Sequence, residues 1–189
     1  PSMRSWLATL EGARQLHRIQ AEVDWDQEIG AIARVNLSQG GPALLFENIK
    51  EHTSTRCTKL LTCGIGKREQ IALMLGLPEE TSSKELVRHL KDLFHKPVEP
   101  RLVSTGAIKE NVLQGKDIDL YEFPAPLWHH MDGGRYIDSF AVTVTKDPES
   151  KLANIGLYRG QLLGKNKIGK LLIKTQGWGQ HFIKYGMKP

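Results

Sequence analysis

The amino-acid sequence predicts an α/β (α+β) chain in two parts. Helical and strand-like periods alternate through the first hundred residues. A proline-bearing stretch with little periodicity follows, from Lys96 to Pro126. From Arg135 onward, β-branched and aromatic residues alternate with polar ones, as in half-buried strands. Hydrophobic residues make up 40% and charged residues 25% of the 189 residues, an ordinary globular balance that predicts a folded chain. The expected division is a small N-terminal α/β domain over residues 1–115 and a mostly β domain beginning at 116 and running to 189.

The elements follow in order. Trp6, Leu7 and Leu10 fall at helical spacing, with Ser5 as the expected cap. Leu16 to Gln20 alternates as a strand. Ile29, Ile32, Ala33 and Asn36 mark a helix from Glu28 to Leu37, stopped by Gly40-Gly41-Pro42. Ala43-Leu44-Leu45-Phe46 is a continuous apolar run, the pattern of a strand buried on both faces. Lys59 to Thr62 repeats it, and Gly64-Ile65-Gly66 turns the chain. A helix from Lys67 to Leu77 ends at Gly76, with Pro78 beyond. Ser82 or Ser83 caps the next helix, which runs through Leu86, Leu90 and Leu93 to His95. The stretch from Lys96 to Pro126 reads as a connection with short strands, and Asp117 to Leu120 enters the second part. Tyr136 to Thr145, Ala153 to Leu163 and Leu171 to Ile173 read as three strands. Asp147 to Ser150 is a turn, Lys165 to Lys170 a hairpin tip, and Trp178 to Tyr185 a closing helix.

Several function classes drop away on composition. The net charge of +5 is spread along the chain, with no aromatic array interleaved with basic residues, so no nucleic-acid partner is expected. No apolar run reaches about 18 residues, so no membrane span is expected. Cys57 and Cys63 read as reduced thiols of a cytoplasmic protein. The adjacent His129 and His130 diverge on an extended chain and read as a loop rather than a metal site.

The most informative run is Asn154-Ile155-Gly156-Leu157-Tyr158-Arg159. On a strand, Asn154, Gly156 and Tyr158 share one face, and Ile155, Leu157 and Arg159 the other. An amide carbonyl is a hard-oxygen metal ligand. A guanidinium holds carboxylate or phosphate through two parallel donors. Bringing both to one site requires a bend, which Gly156 permits.

In combination, these runs resemble a known family. Asp132-Gly133-Gly134-Arg135-Tyr136-Ile137, then Val142 to Glu149, then Asn154 to Arg159 and Gln161 to Lys167, look like the central signature of UbiD-type decarboxylases. The amino-terminal runs Met3 to Leu7, Leu16 to Ile19, Glu22-Val23-Asp24 and Gly41 to Ile49 are similar to the family's opening. The resemblance covers essentially the whole chain and implies that the second domain begins a split β-barrel of flavin-reductase type. It implies a prenylated flavin mononucleotide (prenylated FMN) cofactor, with its phosphate held through a divalent metal, usually Mn2+, and a monovalent cation such as K+ nearby. Asn154 matches a metal-ligating asparagine, and His181 falls near a metal-ligating histidine. Arg159 matches the arginine that contacts cofactor and substrate carboxylate. Leu157 and Tyr158 match backbone cofactor contacts, and Leu171, Leu172, Ile173, Gln176 and Gly177 match a second cofactor-contacting stretch. Gly177-Trp178-Gly179-Gln180 departs from common versions of that stretch.

The implied activity is the decarboxylation, or reversible carboxylation, of an aromatic or α,β-unsaturated acid, in a homo-oligomeric enzyme. The family's catalytic acid and a further glutamate ligand lie downstream of such a segment. Glu47, Glu110 and Glu122 lie outside the matching motif, so the chain alone is expected to turn over nothing. The alternative reading is a non-catalytic FMN-binding or assembly protein with a split-barrel domain.

Overall fold

The computed structural model describes residues 2–186, and these divide into two compact units. The first comprises the chain up to Val23, then Ala31–Ile49 and Lys59–Ile118. The second comprises Asp24–Gly30, Lys50–Thr58 and the chain from Asp119 onward. Two short segments of the N-terminal half therefore belong to the second unit.

The first unit is built on a three-stranded sheet in the order β1-β2-β3, with β1 Leu16–Ile19, β2 Ala43–Phe46 and β3 Leu60–Thr62. β1 and β2 run parallel and β3 antiparallel to β2. As the central strand, β2 is buried on both faces, so its four residues are all apolar. Helix α1 (Met3–Gly12) is capped by Ser2, upstream of the expected Ser5. Ser5 stands at the third helical position and accepts a hydrogen bond from the Ser2 backbone N–H. α2 (Glu28–Ser38) ends where Asn36 Nδ2 donates to the Pro42 carbonyl, and α3 spans Arg68–Met74. α4 (Ser83–Phe94) begins at a capping box between Ser82 and Glu85 and seats Leu86 in the core. The connection after α4 carries short 3-10 turns at Ala107–Lys109, Gly115–Asp117 and Leu120–Glu122 in place of the expected short strands.

The second unit holds two antiparallel hairpins and a helix. β4 (Val142–Lys146) pairs with β5 (Ala153–Leu157), β6 (Gly160–Gly164) with β7 (Lys167–Lys170), and α5 (Gly177–Lys184) packs on β4 and β5. At the β4–β5 turn, Asp147 Oδ1 accepts from the backbone N–H groups of Glu149 and Ser150 at 2.8 and 3.0 Å, an Asx turn.

Three strand expectations are corrected. The strand expected over Tyr136–Thr145 starts only at Val142, because Tyr136 and Ile137 give their backbone N–H groups to Pro126 and Gly160. The strand expected over Ala153–Leu163 breaks at Tyr158 and Arg159 into β5 and β6. A further strand, β7, lies in the lysine-rich stretch read as a hairpin tip, whereas Leu171–Ile173 forms no strand. In β7 two lysines bracket Ile168 and Gly169, a pattern that a two-stranded ribbon accepts without a buried face.

Phe46 is fully buried in β2. Phe46→Ala is expected to cost about 3–5 kcal/mol in a chemical denaturation of the full chain, since the core cannot close around so large a void. A loss under about 1 kcal/mol would contradict the placement of the core.

Candidate functional site

β5 keeps the alternation its sequence predicts. Asn154, Gly156 and Tyr158 lie on the covered face, and Ile155, Leu157 and Arg159 on the exposed one. The bend falls after Leu157 rather than at Gly156. The Tyr158 ring stacks on Trp178 of α5, with centroids 4.0 Å apart and planes 9° from parallel. Its hydroxyl accepts from Asn154 Nδ2 at 3.3 Å. Gly156 leaves room for the ring, since a Cβ there would meet Tyr158.

Beyond the break, Arg159 is more than half exposed. Its Nη1 donates to Asp132 Oδ1 at 3.2 Å, and its guanidinium carbon lies 4.0 Å over the Tyr136 ring. The same loop grips β6. Gln161 Nε2 donates to the Gly133 carbonyl at 2.6 Å, and Gly134, at φ +156°, leaves the space that this amide fills. Lys170 Nζ donates to the Tyr158 carbonyl at 2.8 Å and pairs with Asp138, tying the end of β7 to the break. That brings Leu157–Arg159 next to the segment starting at Leu171. Leu157, Leu171 and Ile173 expose 56%, 78% and 42% of their surface, so apolar side chains stand unburied beside an exposed cation. Leu172 is half-buried, and Gln176 is the N-cap residue of α5.

The base of the Arg159 loop is anchored by Arg135. Its Nε donates to the Ala125 carbonyl at 2.7 Å and its Nη2 to that of Phe123 at 3.3 Å, and the guanidinium lies 4.2 Å over Trp25. His52, buried, stands with Nε2 2.9 Å from Arg135 Nη2, so a neutral imidazole accepts this donor. Burial first, and the Arg135 charge second, hold the His52 pKa below its ordinary 6.5; the Glu51 charge and a hydrogen bond to the Glu122 backbone act the other way. The sequence assigns no role to either Arg135 or His52. The signal for Arg135 is its place inside the Asp132–Ile137 run; His52 carries none.

The two candidate metal ligands each turn to partners of their own. Asn154 Oδ1 packs against Gly177, where a Cβ would overlap it. His181 Nδ1 is bonded to Thr145 Oγ1 at 2.9 Å, and its Nε2 faces Asp147 Oδ2 at 3.9 Å. Asp147 is already neutralised by Lys184 Nζ at 2.7 Å, and this hydrogen bond, with the turn N–H groups, holds its carboxyl far below the usual range. Among the described residues, no three His, Cys, Asp or Glu side chains are grouped to hold a metal ion. In this structure these side chains dock α5 on the hairpin. The Trp178 indole N–H is buried with no acceptor among the described residues, a donor left over at the covered face. Cys57 and Cys63 form no disulfide, and no helix among the described residues is long and apolar enough to cross a membrane.

Two family models match the chain in succession: the 3-octaprenyl-4-hydroxybenzoate carboxy-lyase N-terminal domain over residues 7–90, and the carboxy-lyase Rift-related domain over residues 101–188. The chain is 33% identical over 169 residues to pyrrole-2-carboxylic acid decarboxylase of Pseudomonas aeruginosa, covering 85% of this chain and 34% of that protein. It is 36% identical over 176 residues to a phenolic acid decarboxylase of Streptomyces sp. (strain D7), covering 88% of this chain and 36% of the relative. Among solved structures, vanillic acid decarboxylase of Sedimentibacter hydroxybenzoicus in its closed form superposes with a TM-score of 0.86 at 34% identity, over 96% of this chain and 39% of that one. An evolved dimeric form of the UbiD-class enzyme HmfF from Pelotomaculum thermopropionicum, in complex with prFMN, gives a TM-score of 0.82 at 32% identity, over 97% and 40%. The chain thus spans between 34% and 36% of the length of the two curated relatives.

Two positions test this geometry. An alanine normally stabilises a helix over glycine by about 1 kcal/mol. At Gly179, buried in α5, a Cβ would overlap the Ile173 carbonyl oxygen. Gly179→Ala is therefore expected to lower the melting temperature and weaken the near-ultraviolet dichroism of Trp178; a gain in stability would contradict the packing of α5. For His52, the unfolded chain takes up a proton near pH 6.5 that the folded chain refuses, so stability falls as pH drops below about 6.5. Melting temperatures measured between about pH 7.5 and 5 should show this slope, reduced in His52→Gln. An equal slope in both proteins would contradict it.

Proposed function

The chain belongs to the UbiD carboxy-lyase family, and on that premise we propose that it supplies part of the cofactor site of a prenylated-FMN-dependent decarboxylase or reversible carboxylase acting on an aromatic or α,β-unsaturated acid. Arg159 carries this reading. It is an exposed guanidinium, steadied on two sides, next to unburied apolar side chains at Leu157, Leu171 and Ile173.

A flavin asks for that combination, having apolar rings and an anionic tail. The fit is supported by the exposed Leu171 and Ile173 for the rings and by the Arg159 donors for an anion. When bound, prenylated FMN supplies the electron sink for breaking the bond between the substrate carbon and its carboxylate. Arg159 would hold the carboxylate or a cofactor anion through charge-assisted hydrogen bonds. Its aromatic support on Tyr136 keeps the guanidinium plane fixed without spending a donor. Lys170 holds the Tyr158 carbonyl and so the backbone direction at the break. Loss of carbon dioxide leaves a carbon that must gain a proton, and no carboxylic acid of the site is assigned that role. The non-catalytic FMN-binding alternative is not favoured, since the curated relatives matched are decarboxylases of aromatic acids.

The test is a titration of the full chain with FMN, followed by flavin fluorescence. Arg159→Ala is expected to weaken binding roughly 10- to 100-fold, the scale of hydrogen bonds to a charged group. Arg159→Lys should recover little, because a point charge lacks the fork of donors. Equal affinity in all three proteins would contradict the assignment of Arg159.

A further inference from the structure

The Asp132–Ile137 run is part of the family signature, yet the sequence assigns none of its side chains a task. In the structure, each polar side chain of the run has a separate one, and two of them converge on Arg159. Asp132 Oδ1 takes the hydrogen bond from Arg159 Nη1 at 3.2 Å. Its Oδ2 accepts from the backbone N–H of His129 at 3.2 Å. The carboxylate is therefore pinned to its own loop by one oxygen and offers the other to the guanidinium. Its side chain is only 12% exposed, against 56% for Arg159. Tyr136 stands beneath the guanidinium face at 4.0 Å. Arg135 locks the loop base through the carbonyls of Phe123 and Ala125.

We infer that Asp132 is a positioning residue for Arg159: with Tyr136, it presets the guanidinium so that its remaining donors meet an anion without prior ordering. This rests on the reading of Arg159 as the anion-holding group. A guanidinium on a free side chain carries considerable rotamer freedom, and fixing it on binding weakens affinity. A largely buried carboxylate at one end and a ring beneath one face remove most of that freedom beforehand. The competing arrangement makes Asp132 an internal competitor that occupies Arg159 until an anion displaces it. The geometry favours positioning: the contact is a single end-on hydrogen bond to Nη1, and the Nε and Nη2 donors have no hydrogen-bond partner among the described residues.

The experiment is nuclear magnetic resonance of the Arg159 Nε–Hε group in the full chain, alone and titrated with benzoate as the carboxylate probe. Asp132→Asn keeps the size of the side chain and an acceptor for the His129 N–H, and near-ultraviolet dichroism of Trp178 checks that the fold is intact. Wild-type protein should give a slowly exchanging Arg159 signal. Asp132→Asn should speed its exchange and weaken benzoate binding roughly 2- to 10-fold, the range of one hydrogen bond. Tyr136→Leu, which leaves Asp132 in place, should act in the same direction. An unchanged signal and affinity in Asp132→Asn, or tighter benzoate binding, would overturn the inference. If the wild-type signal is ordered by Asp132 but comparison with Arg159→Ala reveals no benzoate binding at Arg159, the anion reading fails and the positioning role falls with it.

Discussion

The stacking of Tyr158 on Trp178 is the contact on which the second unit depends. It seats α5 on the covered face of the β4–β5 hairpin, next to the end of β5 at Leu157. With the ring turned inward, the next residue emerges on the opposite face, where Asp132 and Tyr136 receive the Arg159 guanidinium. An aromatic pair of this kind contributes about 0.5–1.5 kcal/mol beyond its area burial. Its larger effect is directional, because it fixes the inward face of a strand whose alternation already puts Asn154 and Arg159 on opposite sides.

The β4–β5 hairpin reverses the usual arrangement of a half-covered sheet. Thr143, Thr145 and Asn154 face the helix side, while Val142, Val144, Ile155 and Leu157 stand more than half exposed on the other. The covered face is held by polar contacts: His181 to Thr145, Lys184 to Asp147 and Asn154 to Tyr158. A sheet face that is polar where it is covered is organised around directional contacts more than around apolar burial. This is why its side chains are specified so closely by position.

Much of this was legible in the sequence. The buried strand at Ala43–Phe46 followed from an unbroken apolar run, and the faces of Asn154 to Arg159 followed from strand alternation. The break after Leu157 was not, because the contacts that accompany it, Trp178 on the Tyr158 ring and Lys170 on the Tyr158 carbonyl, come from residues distant in the chain. The strand at Lys167–Lys170 was hidden because a two-stranded ribbon needs no apolar face. The assignment of residues 24–30 and 50–58 to the second unit was equally hidden, since it depends on Trp25 and His52 meeting Arg135. Asn154 and His181 were legible as polar residues of one region, but their separate partners emerge only in three dimensions.

Reception of a flavin by the exposed Arg159 and the apolar side chains next to it is tested most directly by a crystal structure of the full chain grown with prenylated FMN. The expected result is an anionic group of the ligand within hydrogen-bond distance of Arg159, with the rings against Leu171 or Ile173. A ligand bound elsewhere, with Arg159 still touching only Asp132 and Tyr136, would contradict it.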